Sequence, residues 1–458
     1  MKLPKLQIHK VSGVSAKDFK LLEAFGKFVK VDARCGVISF CVPEWAQQRK
    51  RPIFWPDINR GIDRSLLLQG IIPLKATVRG NAQESRYSAQ FDFRSWYDQI
   101  GLAREISALF GVSADKCLAS LPMGFRPSAE VAQMVSSAIS DIELPDGVNV
   151  TVYIDNVRFG GPTADAVFEA SKKFVRRAAE VGAQLNSSVI EIQSSEDFLG
   201  EHYDMKNKTR RLTQKSVDKL VVAMELLSQP QLTYRQVAAI FGLLYFVSDV
   251  LNLPMSKFFK SLSAHRSMMS LVPDSQWDAV APALAPEVTD ELLKWIALAR
   301  VNTPTSIVNR DFSALPPEIT IYVDASAFGW GAVCFSGSSV KYAGGAWSAE
   351  DRASFNLNQS TVAEPLAVKK AVLAFVSTRF KHVRIFSDHI GLVFAGNKKY
   401  GKSADYNSLC AFLQEYFPET DFSFNFIPGE KNVLADDISR GRFLFYNHLL
   451  KGEGIIQD

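Results

Sequence analysis

The run Thr151-Val152-Tyr153-Ile154-Asp155-Asn156-Val157-Arg158-Phe159 carries the first clue to the fold. Two stretches rich in β-branched and aromatic residues, 148–154 and 157–159, are separated only by Asp155-Asn156, which predicts a tight β-hairpin. Side chains alternate along a strand, so Val152 and Ile154 take one face and Thr151, Tyr153 and Asp155 the other. One face can pack on helices while the other presents Asp155 at a bend. Upstream, the alternating Ser88-Ala89-Gln90-Phe91-Asp92-Phe93 predicts a strand carrying a second acid, Asp92. Two acids on neighbouring strands can hold two Mg²⁺ ions, because hard cations take carboxylate oxygens. Such an ion pair can activate an attacking oxygen and stabilise a leaving one. An aspartate at a hairpin tip is also ordinary turn chemistry, so the surrounding strings must discriminate.

Composition bounds what this hairpin can belong to. The chain has 458 residues, about three domains at ordinary domain size. Its 47% hydrophobic and 22% charged residues exclude disorder for the bulk of it. Lys and Arg number 52 against 48 Asp and Glu; the net +4 neither demands nor excludes a nucleic-acid partner. Cys35, Cys41, Cys117, Cys334 and Cys410 form no CxxC pair. That argues against a zinc ribbon or a disulfide scaffold and fits a reducing, intracellular compartment, with cytoplasm and nucleus both left open. The six histidines show no HExxH spacing. The N-terminus, MKLPKLQIHK, lacks the apolar core of a signal peptide. The longest apolar run, 237–247, is too short to cross a bilayer and predicts a buried helix; no membrane partner is expected. No GxGxxG or GxxxxGK[ST] pattern occurs, which argues against an unrelated α/β nucleotide-binding enzyme.

The strings around the two acids form an ordered set. In Phe91-Asp92-Phe93-Arg94-Ser95-Trp96-Tyr97 an aromatic follows the Asp by five positions. Then come Leu121-Pro122-Met123-Gly124-Phe125-Arg126-Pro127-Ser128, Tyr153-Ile154-Asp155-Asn156 and Phe198-Leu199-Gly200. In order and spacing these resemble four motifs of reverse transcriptases: the first palm motif, LPxGFxxSP, the YxDD box and the primer-grip FLG. The resemblance covers roughly residues 40–300, and four ordered motifs are far more specific than one. It implies that Asp92 and Asp155 hold the metals at a primer 3′ end. Tyr97 would be the aromatic gate that excludes a 2′-OH, and Met123, Gly124 and Phe125 would border nucleotide and template. Tyr153 and Asn156 would complete the polymerase hairpin, and Phe198, Leu199 and Gly200 the primer grip. Arg49-Lys50-Arg51-Pro52-Ile53-Phe54-Trp55-Pro56 resembles the basic fingers strand, whose cations would meet the triphosphate. A solvated surface run is the alternative for any one of Arg49, Lys50 and Arg51. Three departures stand out. Asn156 replaces the second acid of YxDD, which costs one negative charge and predicts weaker Mg²⁺ binding. Met123 replaces a Gln often seen. The next palm motif matches only at Leu185-Asn186, with no lysine shortly after.

A second acidic set follows 301–318, where three prolines and several turn-formers interrupt the apolar periodicity. Ile321-Tyr322-Val323-Asp324-Ala325-Ser326 with Gly329-Trp330-Gly331-Ala332-Val333 resembles the first hairpin of ribonuclease H. Ala363-Glu364-Pro365-Leu366 resembles the helix carrying its glutamate, and Phe386-Ser387-Asp388-His389 the strand ending in its second aspartate. Ile427-Pro428-Gly429-Glu430-Lys431-Asn432-Val433-Leu434-Ala435-Asp436-Asp437-Ile438-Ser439-Arg440 is very close to the HxPGxxNxxADxLSR run of retroelement ribonucleases H. The resemblance covers about residues 318–442 and implies two Mg²⁺ among Asp324, Glu364, Asp388 and Asp436. Asp437 is assigned to the helix start and His389 to a structural role.

Together the resemblances imply an α+β chain: a right-hand polymerase of fingers, palm and thumb followed by an α/β ribonuclease H-like domain. The expected divisions are 1–205 for fingers and palm, 206–300 for a helical thumb or connection, 301–317 for a linker and 318–458 for the nuclease. The implied function is RNA- and DNA-directed DNA polymerase with ribonuclease H activity, using Mg²⁺, two per site, with Mn²⁺ as a substitute. Expected partners are an RNA template, a DNA primer, the RNA–DNA hybrid and dNTPs. Lys206, Lys208, Arg210, Arg211, Lys215 and Lys219 could track a phosphate backbone or form a solvated helix face. No aspartic-protease or integrase signature appears, so a polymerase–nuclease part alone is expected. The subgroup resembled is the DIRS-like tyrosine-recombinase retroelements, including the VIPER type, with gypsy-type elements as close competitor. The rival from another class is a domesticated nucleic-acid-binding protein that keeps the fold without polymerisation.

Overall fold

In a computed structural model the strand Tyr87–Asp92 and the hairpin strands Asn149–Tyr153 and Asn156–Gly161 form a three-stranded antiparallel sheet. The structure describes residues 6–9, 14–44, 49–63, 65, 70–270, 272, 276–308, 316–442 and 454–456. Asn156–Gly161 is the central strand and pairs Phe91 with Val157 and Asp92 with Asn156. Ala89, Phe91, Phe93, Val157 and Phe159 are buried in one cluster. Helices Ser128–Ser140 and Ala164–Glu180 add Ala132, Ile139, Val167 and Phe174 to it, and Phe174 meets the rings of Phe91 and Phe159. Each such buried aromatic contributes roughly 2–3 kcal/mol. Because side chains alternate, burying Phe91 and Phe93 turns Asp92 to the opposite face. The core thus aims the acid.

The chain divides into two compact units, residues 1–196 with 203–209, and residues 197–202 with 210–458. The first also holds the antiparallel hairpin of Val37–Glu44 and Arg49–Pro56. Its helix Ala164–Glu180 has a basic outer face that is ion-paired locally: Lys172 with Glu169, Lys173 with Glu143 and Arg176 with Glu180. That face is solvated amphipathic surface.

In the second unit, helices Gln214–Leu227, Tyr234–Leu251, Phe259–Met269 and Pro286–Arg300 pack around Trp295. Its ring stacks on Phe258, and its Nε1 donates to Ser248 Oγ at 2.8 Å. Thr233 and Gln236 form a capping box that starts Tyr234–Leu251. This helix is long and apolar enough to cross a membrane, yet Val237, Ile240, Phe241, Leu244 and Val247 are buried in the helical core. It is the buried helix expected for 237–247.

The same unit contains a six-stranded sheet in the order Asp421–Phe426, His382–Ser387, Ile319–Ala325, Gly329–Ser336, Ser339–Ala346, Gly454–Ile456. Ile319–Ala325 runs parallel to His382–Ser387 and antiparallel to Gly329–Ser336. Helix Ser360–Phe375 packs Ala363, Ala367, Val368 and Ala371 against Ile321, Val323 and Ile385. Helix Val433–Ser439 lies on Gly331, where a Cβ would stand 2.3 Å from Ala435 O and 2.6 Å from Ser439 N. Only glycine permits that approach.

Two cations of the 206–219 cluster have structural roles. Arg210 is fully buried and donates to the carbonyls of Val250, Asp249, Ser306 and Ile307. Lys208 Nζ donates to Gln83 O and Ser85 O at 2.6 and 2.7 Å. Lys206, Arg211, Lys215 and Lys219 remain exposed.

Candidate functional site

The hairpin turn falls one residue earlier than the sequence suggests. Tyr153 pairs with Asn156, so Ile154-Asp155 is the turn, and Ile154 sits at φ +57°. A β-branched residue pays for that conformation. Helix Ser128–Ser140 offsets the cost by holding Ile154 at both backbone groups. Gln133 Oε1 accepts from Ile154 N at 2.7 Å, Gln133 Nε2 donates to Val152 O at 2.9 Å, and Ser136 Oγ donates to Ile154 O. The carbonyl of Asp155 accepts from Phe93 N at 2.9 Å, which brings the two acid-bearing segments together.

Amides hold both acids. Asn186 Nδ2 donates to Asp92 Oδ2, and its backbone N donates to Asp92 O at 2.8 Å. Asn156 Nδ2 donates to Asp155 Oδ1 at 3.0 Å. Burial, and then the charge of Asp155, raises the Asp92 carboxyl above its usual range against the pull of Asn186. The acids line a cavity of about 460 Å³ with Tyr97, Lys50, Arg51 and Met123. Burial and Asp155 also raise the Tyr97 hydroxyl. Gly124 and Phe125 are not among the residues lining the cavity. Gly124 is at φ +115°, where a Cβ would be 2.6 Å from Phe54 O, and Phe125 packs edge-on against Phe110. Arg49 is described as a strand position pairing with Glu44; its side chain lies outside the described residues. Sequence reasoning missed two cations of this cavity, Arg94 and Lys27. Lys27 Nζ meets Asp98 and donates to Ser120 Oγ at 3.2 Å. Lys27 belongs to no motif, so only its fold neighbours reveal it. The Phe198-Leu199-Gly200 run forms a turn in the second unit, with Leu199 at φ +50° and Gly200 at φ +83°. Phe198 is buried, and Gly200 leaves room for Phe246, whose Cζ would lie 3.0 Å from an added Cβ.

The second acidic set is built by three different elements. Asp324 comes from Ile319–Ala325, Glu364 from Ser360–Phe375, and Asp388 directly follows His382–Ser387. Ligand oxygens of these three lie within 4.8 Å of one another. Asp324 and Glu364 are 5% and 4% exposed, so their charges are poorly solvated. Desolvation first, then the neighbouring acids, pushes Glu364 up to about 9. Desolvation raises Asp324 to about 6, with Asp388 and Asp436 adding to it and Ser439 opposing. A donor set of hard oxygens in which Glu364 keeps its proton at neutral pH fits a divalent cation, which would replace that proton.

Asp436 stands apart from the triad. Arg440 Nε meets its Oδ1 at 2.7 Å and Arg442 Nη2 its Oδ2 at 3.0 Å. Asp436, not Asp437, lies in the first turn of Val433–Ser439, and Asp437 Oδ1 meets Arg442 Nε at 3.0 Å. This corrects the assignment of Asp437 to the helix start: Asn432 holds the N-cap position without a side-chain capping bond, and Asp437 lies beyond the first turn. His389 Nδ1 accepts from Leu392 N at 3.2 Å and caps helix Ile390–Lys398. Two supporting residues escaped the motif reading. Ser439 Oγ donates to Asp324 Oδ2 at 2.6 Å, and Gly429 packs so tightly on Asp388 that a Cβ would be 2.9 Å from Oδ2. Both lie inside the 427–440 run, which was their available signal.

No protein-family model and no curated protein sequence matches the chain. Among solved structures it is similar to foamy viral protease-reverse transcriptases. Two are complexes with double-stranded DNA. The form designated dRH has a TM-score of 0.51 at 14% identity, covering 93% of this chain and 72% of that one. The other has a TM-score of 0.51 at 14% identity, covering 94% and 86%. A complex with an RNA/DNA hybrid has a TM-score of 0.50 at 14% identity, covering 92% and 55%. The fold is therefore α+β and reverse transcriptase-like.

Proposed function

We propose that this chain is a bifunctional RNA- and DNA-directed DNA polymerase and ribonuclease H. The single observation that carries the reading is the pair of acidic sites: Asp92 and Asp155 in a cavity lined by cations, and Asp324, Glu364 and Asp388 with oxygens within 4.8 Å. The divisions 1–205, 206–300, 301–317 and 318–458 are proposed as fingers with palm, thumb, linker and nuclease. The foamy viral complexes with double-stranded DNA and RNA/DNA hybrid support template, primer and hybrid as partners here. The 427–440 run supports a retroelement origin, which we read as DIRS-like with the gypsy type as close competitor.

In the polymerase site, Asp92 and Asp155 would hold Mg²⁺, with Asn186 fixing the Asp92 carboxylate and Asn156 that of Asp155. Lys50 and Arg51 would attract the triphosphate, and Tyr97 would lie under the incoming sugar. In the nuclease site, Asp324, Glu364, Asp388 and Asp436 are the proposed ligands, with Ser439 orienting Asp324. Bound Mg²⁺ supplies an activated oxygen nucleophile and a stabilised leaving oxygen at both sites. Tethering a nuclease to the polymerase raises its effective concentration on the hybrid that synthesis leaves behind.

The test is primer extension on an RNA template run beside cleavage of a labelled hybrid. Asp92→Asn should lower extension about 100-fold or more and spare cleavage; Asp388→Asn should do the reverse. Wild-type protein that binds hybrid yet extends nothing with Mg²⁺ or Mn²⁺ would favour the binding-protein reading, which Asn156 motivates.

A further inference from the structure

Both oxygens of Asp436 are taken by guanidinium groups, Arg440 at 2.7 Å and Arg442 at 3.0 Å, while ligand oxygens of the three other acids of the nuclease motif lie within 4.8 Å of one another. Asp436 is nonetheless close to that group. Ser439 Oγ joins Asp324 Oδ2 at 2.6 Å to Asp436 O at 2.8 Å, so the helix carrying Asp436 is stitched to the triad. The charge of Asp436 also contributes to the raised carboxyl of Asp324.

A purely structural role explains part of this. Arg440 lies four residues after Asp436 and at the end of Val433–Ser439, where a cation complements both the pair and the helix dipole. Arg442 lies beyond the helix and joins Asp436 to Asp437, which neither rule requires. Both arginine side chains are about half exposed, 55% and 51%, so leaving the carboxylate costs little packing. A guanidinium fork suits a phosphate as well as a carboxylate.

Resting on the nuclease reading above, we propose that Arg440 and Arg442 form a cationic latch that occupies Asp436 in the free protein, yields it to the divalent cation, and then grips phosphates of the entering RNA–DNA hybrid. The latch couples the two ligands: a hybrid that draws the arginines away frees Asp436 for metal, and metal on Asp436 frees the arginines for phosphate. A free protein therefore binds its nuclease metal more weakly than a hybrid complex does.

The test uses the full chain carrying Asp92→Asn and Asp155→Asn, so that the nuclease acids dominate metal binding. Calorimetric Mg²⁺ titration without nucleic acid is compared with and without Arg440→Gln and Arg442→Gln. Losing the latch should tighten Mg²⁺ binding about three- to tenfold. Hybrid binding in Ca²⁺ should weaken about tenfold, with the salt slope of affinity reduced by about one to two. Asp436→Asn should erase the effect of the arginine changes on Mg²⁺ affinity, as expected for directly coupled residues. Unchanged or weaker Mg²⁺ binding in the glutamine variant, or unchanged hybrid binding, would overturn the latch. Should the double change unfold the chain, Arg442→Gln alone, beyond the helix, is read the same way. Failure of the nuclease reading looks different: Asp388→Asn would then leave Mg²⁺ affinity unchanged whatever the arginines do.

Discussion

Asp92 and Asp155 each meet an amide, whereas Asp324, Glu364 and Asp388 meet one another. In the first site Asn186 and Asn156 donate to the carboxylates, and Lys27, Lys50, Arg51 and Arg94 line the same cavity. Negative charge there has partners before any metal arrives. In the second site two acids are almost fully buried and both are raised: Glu364, at about 9, keeps its proton at neutral pH, whereas Asp324, at about 6, has mostly ionised by then. Ionising that cluster without a cation is costly, because a low-dielectric interior strengthens like-charge repulsion. The proposed two-metal chemistry would thus be housed in one pre-balanced site and in one that metal completes. Metal removal and pH should separate them.

The largest expected effect is at Glu364. Glu364→Gln removes a ligand and should lower hybrid cleavage about 100-fold or more while sparing extension. Its stability effect has the opposite sign. The Glu364 carboxyl titrates near 4.5 when unfolded and at about 9 when folded, so between those values the folded state holds the extra proton. Stability then falls as pH rises through that window, and flattens above it. In EDTA, Glu364→Gln should therefore be more stable than wild type, by a margin that grows from pH ~4.5 to ~9 and exceeds about 2 kcal/mol at the top. Thermal unfolding across pH measures it, and Mg²⁺ should narrow the gap. A margin independent of pH would mean that the acids are not crowded.

Next come the glycines that let the elements around the second acidic site close on one another. Gly331→Ala would set a Cβ 2.3 Å from a backbone carbonyl, so the strand or helix Val433–Ser439 must move. A loss of about 1–3 kcal/mol and about tenfold slower cleavage are expected, with extension retained. Gly429→Ala would press on Asp388 Oδ2 at 2.9 Å and should weaken Mg²⁺ binding with less effect on stability. Calorimetry and melting of both variants check this; equal loss of extension would show a general folding defect.

Gln133→Ala probes the first site in the same spirit. It removes both side-chain bonds to the turn and leaves Ile154 in a left-handed conformation held by Ser136 alone. Extension should fall about tenfold with cleavage unchanged, since only acid placement is disturbed. Full extension by this variant would remove Gln133 from the site.

How much of this was legible follows the range of the forces involved. The strands around Asp92 and Asp155 were readable because alternation is local. The shift of the turn from 155–156 to 154–155 was not, because Gln133 and Ser136 act from a helix some twenty residues away. The gathering of Asp324, Glu364 and Asp388 was readable as a motif, but the hold of Arg440 and Arg442 on Asp436 depends on how Val433–Ser439 docks. Arg210 is the instructive miss. It looked like one cation of a cluster, yet the short strand Thr209–Leu212 buries Arg210 and exposes Arg211. Period-two alternation beside Leu212 was the available signal, and charge counting hid it.

The smallest expected effect is at Asn156. Its amide donates to Asp155 Oδ1 at 3.0 Å, so it consumes part of the carboxylate that a metal would use, and it contributes no charge of its own. Asn156→Asp would replace that donor with a second acid beside Asp155. Opposing this, Asp92 is already raised by burial and by Asp155, and a further negative charge raises it more. Attraction for a divalent ion grows with each added charge, while repulsion among the acids acts only until the ion binds. The balance favours the metal, and the Mg²⁺ concentration for half-maximal extension should drop a few-fold. Extension rates across a Mg²⁺ series decide it. A requirement that stays the same or rises would mean that the Asn156–Asp155 bond orients the acid more than it competes with the metal, making the first site more pre-balanced than its charges alone imply.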